Sequence, residues 1–83
     1  MIEIWGKTAC PYCVKAKQFC ETRNLDYTYK QLDVDFTRDE VFENFPNART
    51  FPQIKISGKI IGGFDDMMTY IETTGYNGTG YSL

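Results

Sequence analysis

The chain has 83 residues, of which 42% are hydrophobic and 24% are charged, with a formal net charge of -2. This length and composition fit one small globular domain, and the mild acidity excludes a generally basic nucleic-acid binder. No apolar run approaches the roughly 20 residues that cross a bilayer, and the N-terminus lacks the pattern of a secretory signal. We therefore expect a cytoplasmic monomer that binds neither nucleic acid nor membrane.

The first half of the chain predicts a strand, a helix and a second strand. Residues 1–5 alternate between apolar and polar side chains, as a half-buried strand does. Pro11 suits the first position of a helix, which we expect to continue to about residue 24 with Cys20 on its apolar face. Aromatic and β-branched residues over 27–34 indicate a strand parallel to the first. Cys20 is expected to pack as a buried apolar side chain rather than to react as a thiol.

A second helix is predicted from the signals at its N-terminus. Thr37 and Glu40 have the spacing of a capping box, and Phe36 with Val41 can form the hydrophobic staple around it. Phe42 is expected beside Val41 on the buried face of this helix. These residue types predict packing rather than chemistry.

A hairpin and a third helix complete the predicted order. Residues 52–57 and 59–62 are expected to form two strands joined at a glycine, which makes the sheet mixed. Asp65 or Asp66 is expected to cap the last helix. The predicted fold class is therefore α/β, with a four-stranded mixed sheet flanked by three helices.

Two cysteines at the start of the first predicted helix have the spacing of a redox couple. Cys10 and Cys13 are separated by Pro11 and Tyr12, a spacing that allows a disulfide within one helical turn. Unpaired N–H groups and a partial positive charge at the helix N-terminus favour a thiolate at the first sulfur. Because the thiolate is the nucleophile, Cys10 is predicted to attack disulfides and Cys13 to act as the resolving thiol.

Two other roles for these cysteines are less favoured. A structural disulfide is typical of small secreted domains with an even set of cysteines, whereas this chain has three. A zinc site needs four ligands, and the chain offers three cysteines and no histidine. The spacing therefore favours redox chemistry without a metal.

The charge is unevenly distributed along the chain. Residues 1–30 carry five basic side chains against three acidic ones, and the remainder carries four against eight. An electropositive N-terminal part would help to hold a thiolate and to attract an anionic thiol substrate.

The chain contains three short motifs, which are Cys10-Pro11-Tyr12-Cys13, Arg49-Thr50-Phe51-Pro52 and Gly62-Gly63-Phe64-Asp65-Asp66. Together they resemble the motifs of the dithiol glutaredoxins, and the resemblance covers the chain from residue 1 to about residue 75. It implies a thioredoxin-like fold for a single domain over 1–75, and the glycine-rich residues 76–83 are expected to form a short mobile tail.

The resemblance implies a groove in which glutathione lies extended. Lys7 and Arg49 would contact the glycine carboxylate of glutathione, and the backbone of Phe51 before a cis Pro52 would pair with its cysteinyl unit. The γ-glutamyl unit would meet the start of the last helix, where N–H groups bind its carboxylate and an aspartate takes its ammonium group. The residues that the resemblance assigns to glutathione are Lys7, Tyr12, Arg49, Thr50, Phe51, Pro52, Gly63, Phe64, Asp65 and Asp66.

Two positions differ from the commoner residues of the family. Phe51 stands where valine is usual, and Phe64 stands where cysteine is frequent. These bulky rings predict a more crowded or more apolar groove.

The implied activity is glutathione-dependent reduction of disulfides, with glutathione as co-substrate and no bound cofactor. The expected partners are glutathionylated and disulfide-bonded proteins, with ribonucleotide reductase as one candidate. Two alternatives remain open. One is a redoxin that receives electrons from thioredoxin reductase, and the other is a carrier of an iron–sulfur cluster ligated by Cys10 and glutathione.

Overall fold

The computed structural model describes residues 1–75, and the tail predicted over 76–83 lies outside the described residues. Four strands and three helices follow one another in the predicted order. Within these residues, no helix is long and apolar enough to span a membrane. The elements are β1 Ile2–Gly6, α1 Pro11–Thr22, β2 Tyr27–Gln31, α2 Arg38–Asn44, β3 Gln53–Ile56, β4 Lys59–Gly62 and α3 Phe64–Thr74.

One mixed sheet with the strand order β2, β1, β3, β4 forms the centre of the fold. β1 is parallel to β2 and antiparallel to β3, and β3 is antiparallel to β4. Trp5 near the end of β1 pairs with Gln53 at the start of β3, and Ile54 pairs with Gly62 at the end of β4. The segments that lead into α1, β3 and α3 therefore meet at one end of the sheet.

The side chains of β1 alternate between two separate apolar clusters. Ile2 and Ile4 are fully buried in the main core, which α1 and α3 cover. Trp5 lies on the other side of the sheet, where its ring centroid is 4.7 Å from that of Phe36 and 5.4 Å from that of Phe45. The indole Nε1 is buried without a hydrogen-bond partner among the described residues. We call the buried set Trp5, Phe36, Val41 and Phe45 the Trp5 cluster.

The predicted signals at the start of α2 are confirmed. The Thr37 hydroxyl accepts a hydrogen bond from the N–H of Glu40 at 3.3 Å, and the Glu40 carboxylate accepts one from the N–H of Thr37 at 2.9 Å. Both members of the predicted hydrophobic staple belong to the Trp5 cluster. The prediction was wrong for Phe42, which is 49% exposed. Val41 and Phe45 lie one turn apart and face the sheet, whereas Phe42 is rotated away by about 100°.

β2 ends three residues earlier than the composition predicted, at Gln31, and Val34 is 78% exposed. The Asp35 carboxylate accepts a hydrogen bond from the N–H of Gln31 at 2.8 Å, and Asp33 has a φ of 66°. This side-chain hydrogen bond and the left-handed residue turn the chain out of the sheet. α1 also ends two residues early, because Asn24 has a φ of 56°.

Cys20 is fully buried in the main core, as its position on the apolar face of α1 predicted. Burial raises the pKa of its thiol from 9.0 to about 11, and the carboxylate of Glu21 adds to the effect. At neutral pH the thiol is therefore protonated and packs as an apolar group.

This shift in pKa predicts a specific loss of stability in alkali. The unfolded chain releases the Cys20 proton near pH 9, whereas the folded protein holds it to about pH 11. The contribution of the buried Cys20 thiol to the free energy of unfolding is therefore complete below pH 9 and is lost as the pH rises from 9 to 11. Urea unfolding of the disulfide form at pH 8 and pH 10.5 should show a smaller alkaline loss for Cys20→Ala than for the wild type. Equal losses in the two proteins would contradict the assignment, because Tyr27 and Tyr29 titrate in both.

Candidate active site

The start of α1 brings the two predicted redox cysteines together. Cys10 is the N-cap residue with extended backbone angles, and Pro11 follows at the first helical position. Cys10 and Cys13 are joined by a disulfide, and the N–H of Cys13 points to Sγ of Cys10 at 3.2 Å. A backbone N–H at this distance stabilises negative charge on the sulfur once the disulfide is reduced. The geometry thus matches the predicted attacking role of Cys10.

The two sulfurs differ in their surroundings. Cys13 is fully buried, and Cys10 is 7% exposed. A Cβ added to Gly6 would lie 3.1 Å from Sγ of Cys13, so the absence of a side chain there lets the first turn of α1 approach β1. Sγ of Cys10 lies 3.7 Å from the carbonyl oxygen of Phe51. The outer sulfur therefore lies beside the segment that precedes β3.

The segment before β3 presents a main-chain surface to Cys10. The Phe51–Pro52 peptide bond is cis, as the resemblance implied. The N–H and C=O groups of Phe51 make no main-chain hydrogen bond with any residue in the range 1–75. Gln53 is 8% exposed, and its side-chain amide donates a hydrogen bond to the carbonyl oxygen of Thr50 at 2.7 Å. This hydrogen bond ties the segment to the start of β3.

A groove of about 680 Å³ opens beside this segment. Nine of the ten residues that the resemblance assigned to glutathione line it, and Lys7 is the exception. Lys7 is exposed, and its Nζ lies 5.9 Å from the centroid of the Phe51 ring. The lining comprises Tyr12, Phe45, Pro46, Asn47, Ala48, Arg49, Thr50, Phe51, Pro52, Gln53, Ile60, Gly62, Gly63, Phe64, Asp65 and Asp66.

The two predicted capping aspartates of α3 have different positions. Gly63 occupies the N-cap position itself, and the predicted capping by an aspartate is confirmed for Asp66. Asp66 still caps the helix from its third position, because its carboxylate accepts a hydrogen bond from the N–H of Gly63 at 3.1 Å. Asp65 is exposed and lines the groove, and its carboxylate makes no ion pair or hydrogen bond within the described part of the chain.

The charges of the groove come from different segments. Arg49 is exposed on the segment before β3, and none of the ion pairs or hydrogen bonds found for residues 1–75 uses its guanidinium group. Asp65 and the N-terminus of α3 lie on another wall. The groove can therefore meet a carboxylate with a cation and an ammonium group with an anion.

The aromatic side chains connect the groove with α1. The ring of Phe64 lies 6.3 Å from that of Tyr12 and 6.1 Å from that of Phe19. The ring of Phe51 stacks on Phe36 of the Trp5 cluster at 6.4 Å. Both bulky residues thus pack partly against the protein, and each contributes apolar surface to the lining of the groove.

Several residues of the site escaped the sequence analysis. Gln53, Asn47 and Ile60 line the groove, and none of them belongs to a motif that the sequence displays. A polar side chain directly after the Pro52 motif, at the start of β3, was the available signal for Gln53. Asn47 and Ile60 gave no comparable signal, because their place depends on tertiary packing. Within the described residues, no group of three or more histidine, cysteine, aspartate or glutamate side chains could hold a metal ion.

A glutaredoxin family model matches residues 2–61 of the chain. The chain belongs to the glutaredoxin family. Among its relatives, glutaredoxin 3 of Escherichia coli is 32% identical over 66 residues, which cover 80% of this chain and 80% of that protein. The hybrid peroxiredoxin hyPrx5 of Haemophilus influenzae is 39% identical over 69 residues. That match covers 83% of this chain but only 28% of the length of the peroxiredoxin.

Solved glutaredoxin structures share the fold. A buckwheat glutaredoxin in a glutaredoxin–glutathione complex matches with a TM-score of 0.73 and 26% identity, over 87% of this chain and 68% of that chain. The predicted thioredoxin-like architecture, with its mixed sheet and three helices, is thereby confirmed. Glutaredoxin membership and the Cys10–Cys13 disulfide support thiol–disulfide oxidoreductase activity.

The two adjacent glycines of the third motif should respond differently to substitution. Gly62 has a φ of 124°, and an added Cβ would lie 2.5 Å from the Asp66 carboxylate. Gly63 has a φ of -88°, and its Cβ would meet only the Pro52 carbonyl oxygen at 3.9 Å. Gly62→Ala should lower the free energy of unfolding by ~1–3 kcal/mol, and Gly63→Ala by less than about 1 kcal/mol. Urea denaturation of the two variants measures this, and equal losses would contradict the assigned backbone roles.

Proposed function

We propose that this glutaredoxin is a glutathione-dependent thiol–disulfide oxidoreductase that reduces glutathione mixed disulfides and protein disulfides. The observation that carries the proposal is the approach of Cys10 Sγ to the Phe51 carbonyl, 3.7 Å away at the edge of the groove. A peptide thiol bound along the main chain of Phe51 would have its sulfur next to Cys10. The buckwheat glutaredoxin of the glutathione complex supports this choice of thiol.

The middle of the groove suits the cysteinyl unit of glutathione. The N–H and C=O groups of Phe51 lack main-chain partners within residues 1–75, so they are available to a ligand. An extended peptide can pair with both groups as an added strand does. Pairing at this residue positions the ligand sulfur for in-line exchange with Cys10.

The two ends of the groove suit the charged ends of glutathione. Arg49 and Lys7 would contact the glycine carboxylate from the segment before β3 and from the loop after β1. The N–H groups of Phe64 and Asp65 at the start of α3 would bind the γ-glutamyl carboxylate. Asp65 rather than Asp66 would take the ammonium group, because Asp66 is already bonded to the N–H of Gly63.

The glutathione route needs one protein sulfur. The Cys10 thiolate attacks the glutathione sulfur of a mixed disulfide, a new S–S bond forms, and the substrate leaves as a thiolate that takes a proton from water. A second glutathione thiolate attacks the glutathione sulfur held on Cys10. Oxidised glutathione then leaves, and the Cys10 thiolate is regenerated.

The protein-disulfide route needs both sulfurs. Cys10 forms a mixed disulfide with the protein substrate, and the Cys13 thiolate attacks Cys10 Sγ and expels the substrate thiolate. Glutathione then reduces the Cys10–Cys13 disulfide. In this proposal the protein acts as a cytoplasmic monomer without a bound cofactor, and a ribonucleotide reductase disulfide is one candidate acceptor.

The two routes can be separated with serine variants. Cys13→Ser should keep the reduction of a glutathione mixed disulfide and lose most of the reduction of protein disulfides, because the neighbouring thiol acts at a high effective concentration. Cys10→Ser should lose both activities. Turnover with glutathione and glutathione reductase measures the first activity, and insulin reduction measures the second.

The same assays test the reductant. Replacement of glutathione and glutathione reductase by thioredoxin reductase and NADPH, with no thioredoxin added, should abolish turnover. Equal turnover with both systems would contradict glutathione dependence. If Cys13→Ser lost deglutathionylation as completely as Cys10→Ser while remaining folded, the one-sulfur route would be wrong.

The proposed carboxylate contacts predict a binding defect. Arg49→Gln and Lys7→Gln should each raise the KM for glutathione about two- to fivefold with little change in kcat, because exposed charge pairs contribute at most ~1 kcal/mol. Lys59→Gln is the matched control, since this exposed lysine begins β4 at the opposite end of the sheet. Steady-state kinetics with glutathione and with the uncharged thiol β-mercaptoethanol distinguish a contact from a general effect. An equal loss with both thiols would rule out the contact.

A further inference from the structure

The buried resolving sulfur lacks a hydrogen-bond donor in the disulfide form. Cys13 is fully buried, and none of the hydrogen bonds found within residues 1–75 ends on its Sγ. When the disulfide is reduced, this sulfur leaves with the electron pair of the broken bond. A thiolate in such a place is costly unless a nearby group donates to it.

The Tyr29 hydroxyl is placed to donate. Tyr29 lies on β2 and pairs with Ile4 of β1, so its side chain shares a sheet face with that of Ile4. A Cβ added to Gly6 would overlap the Tyr29 hydroxyl and lie 3.1 Å from Sγ of Cys13. The Tyr29 hydroxyl and the Cys13 sulfur therefore both border the space that Gly6 leaves empty.

Three further observations suit this role. The Tyr29 hydroxyl makes no hydrogen bond with another described residue, so it is available as a donor. Nζ of Lys17, one helical turn after Cys13, lies 5.2 Å from the centroid of the Tyr29 ring and places a positive charge beside it. Burial raises the pKa of Tyr29, which keeps the hydroxyl protonated.

We propose that Tyr29 is a positioning residue that donates a hydrogen bond to the Cys13 sulfur in the reduced protein, across the space left by Gly6. The hydrogen bond stabilises the Cys13 thiolate both when it attacks the mixed disulfide on Cys10 and when it leaves during reduction. The tyrosine keeps its proton in both steps. The inference rests on the dithiol route of the proposed function.

A synthetic aromatic disulfide separates the steps without glutathione. The Cys10 thiolate attacks dithiobis(nitrobenzoate), which releases one thionitrobenzoate and leaves the other bound to Cys10. The Cys13 thiolate then attacks Cys10 Sγ, which forms the intramolecular disulfide and releases the second thionitrobenzoate. With reduced protein in excess, stopped-flow absorbance follows both releases. The rate of the first release rises with the protein concentration, because two molecules react, whereas the rate of the second does not, because the step occurs within one molecule.

Tyr29→Phe should slow the second release about tenfold and leave the first unchanged, since a hydrogen bond to a charged group contributes more than a neutral one. Tyr27→Phe is the matched control, because Tyr27 lies on the same strand face but pairs with Ile2 at the far end of β1. It should change neither release. An unchanged first release in Tyr29→Phe also shows that the variant is folded around Cys10.

Two results would overturn the inference. One is a second release in Tyr29→Phe that is as fast as in the wild type. The other is an equal slowing of both releases, which would indicate a packing role. A wild-type protein that released only one equivalent would instead overturn the dithiol route. If the protein failed to turn over with glutathione, the two thionitrobenzoate releases would be unaffected, because this assay contains no glutathione. The two proposals can therefore fail separately.

Discussion

The N–H of Cys13 points to Sγ of Cys10 at 3.2 Å, and the redox site depends on this contact at the start of α1. It exists because Pro11 starts the helix immediately after Cys10, so that the cysteine side chain takes the position of an N-cap oxygen. The same turn buries Cys13 and leaves Cys10 beside the Phe51 carbonyl. One local helix start thereby gives two chemically identical side chains different partners.

The sheet brings the other parts of the site to that turn. The register between β1, β3 and β4 places the segment before β3 and the start of α3 at the end of the sheet where α1 begins. The groove is therefore formed by connections between elements together with residues of the elements that they join. Among the glycines of residues 1–75, Gly6 and Gly62 are positions where the backbone passes close to another side chain.

Local signals in the sequence correctly predicted those features that depend on residues close together along the chain. Thr37 and Glu40 formed the expected capping box, and Cys20 was buried as its helical spacing indicated. The end of β2 could not be predicted from composition, because the Asp35 side chain and the left-handed Asp33 decide it. The motifs identified most of the residues that line the groove. They could not show that Asp66 rather than Asp65 bonds to the N–H of Gly63, or that Lys7 contacts the Phe51 ring, because both depend on the folded geometry.

The position of Trp5 gives this protein a built-in optical probe. It is the single tryptophan of the chain, and its indole packs on Phe36, which in turn stacks on Phe51 beside Cys10. Two ring contacts thus separate a natural fluorophore from the segment that borders the disulfide. The emission of one indole reports on the packing beneath that segment, so a rearrangement there can be followed by fluorescence without any label.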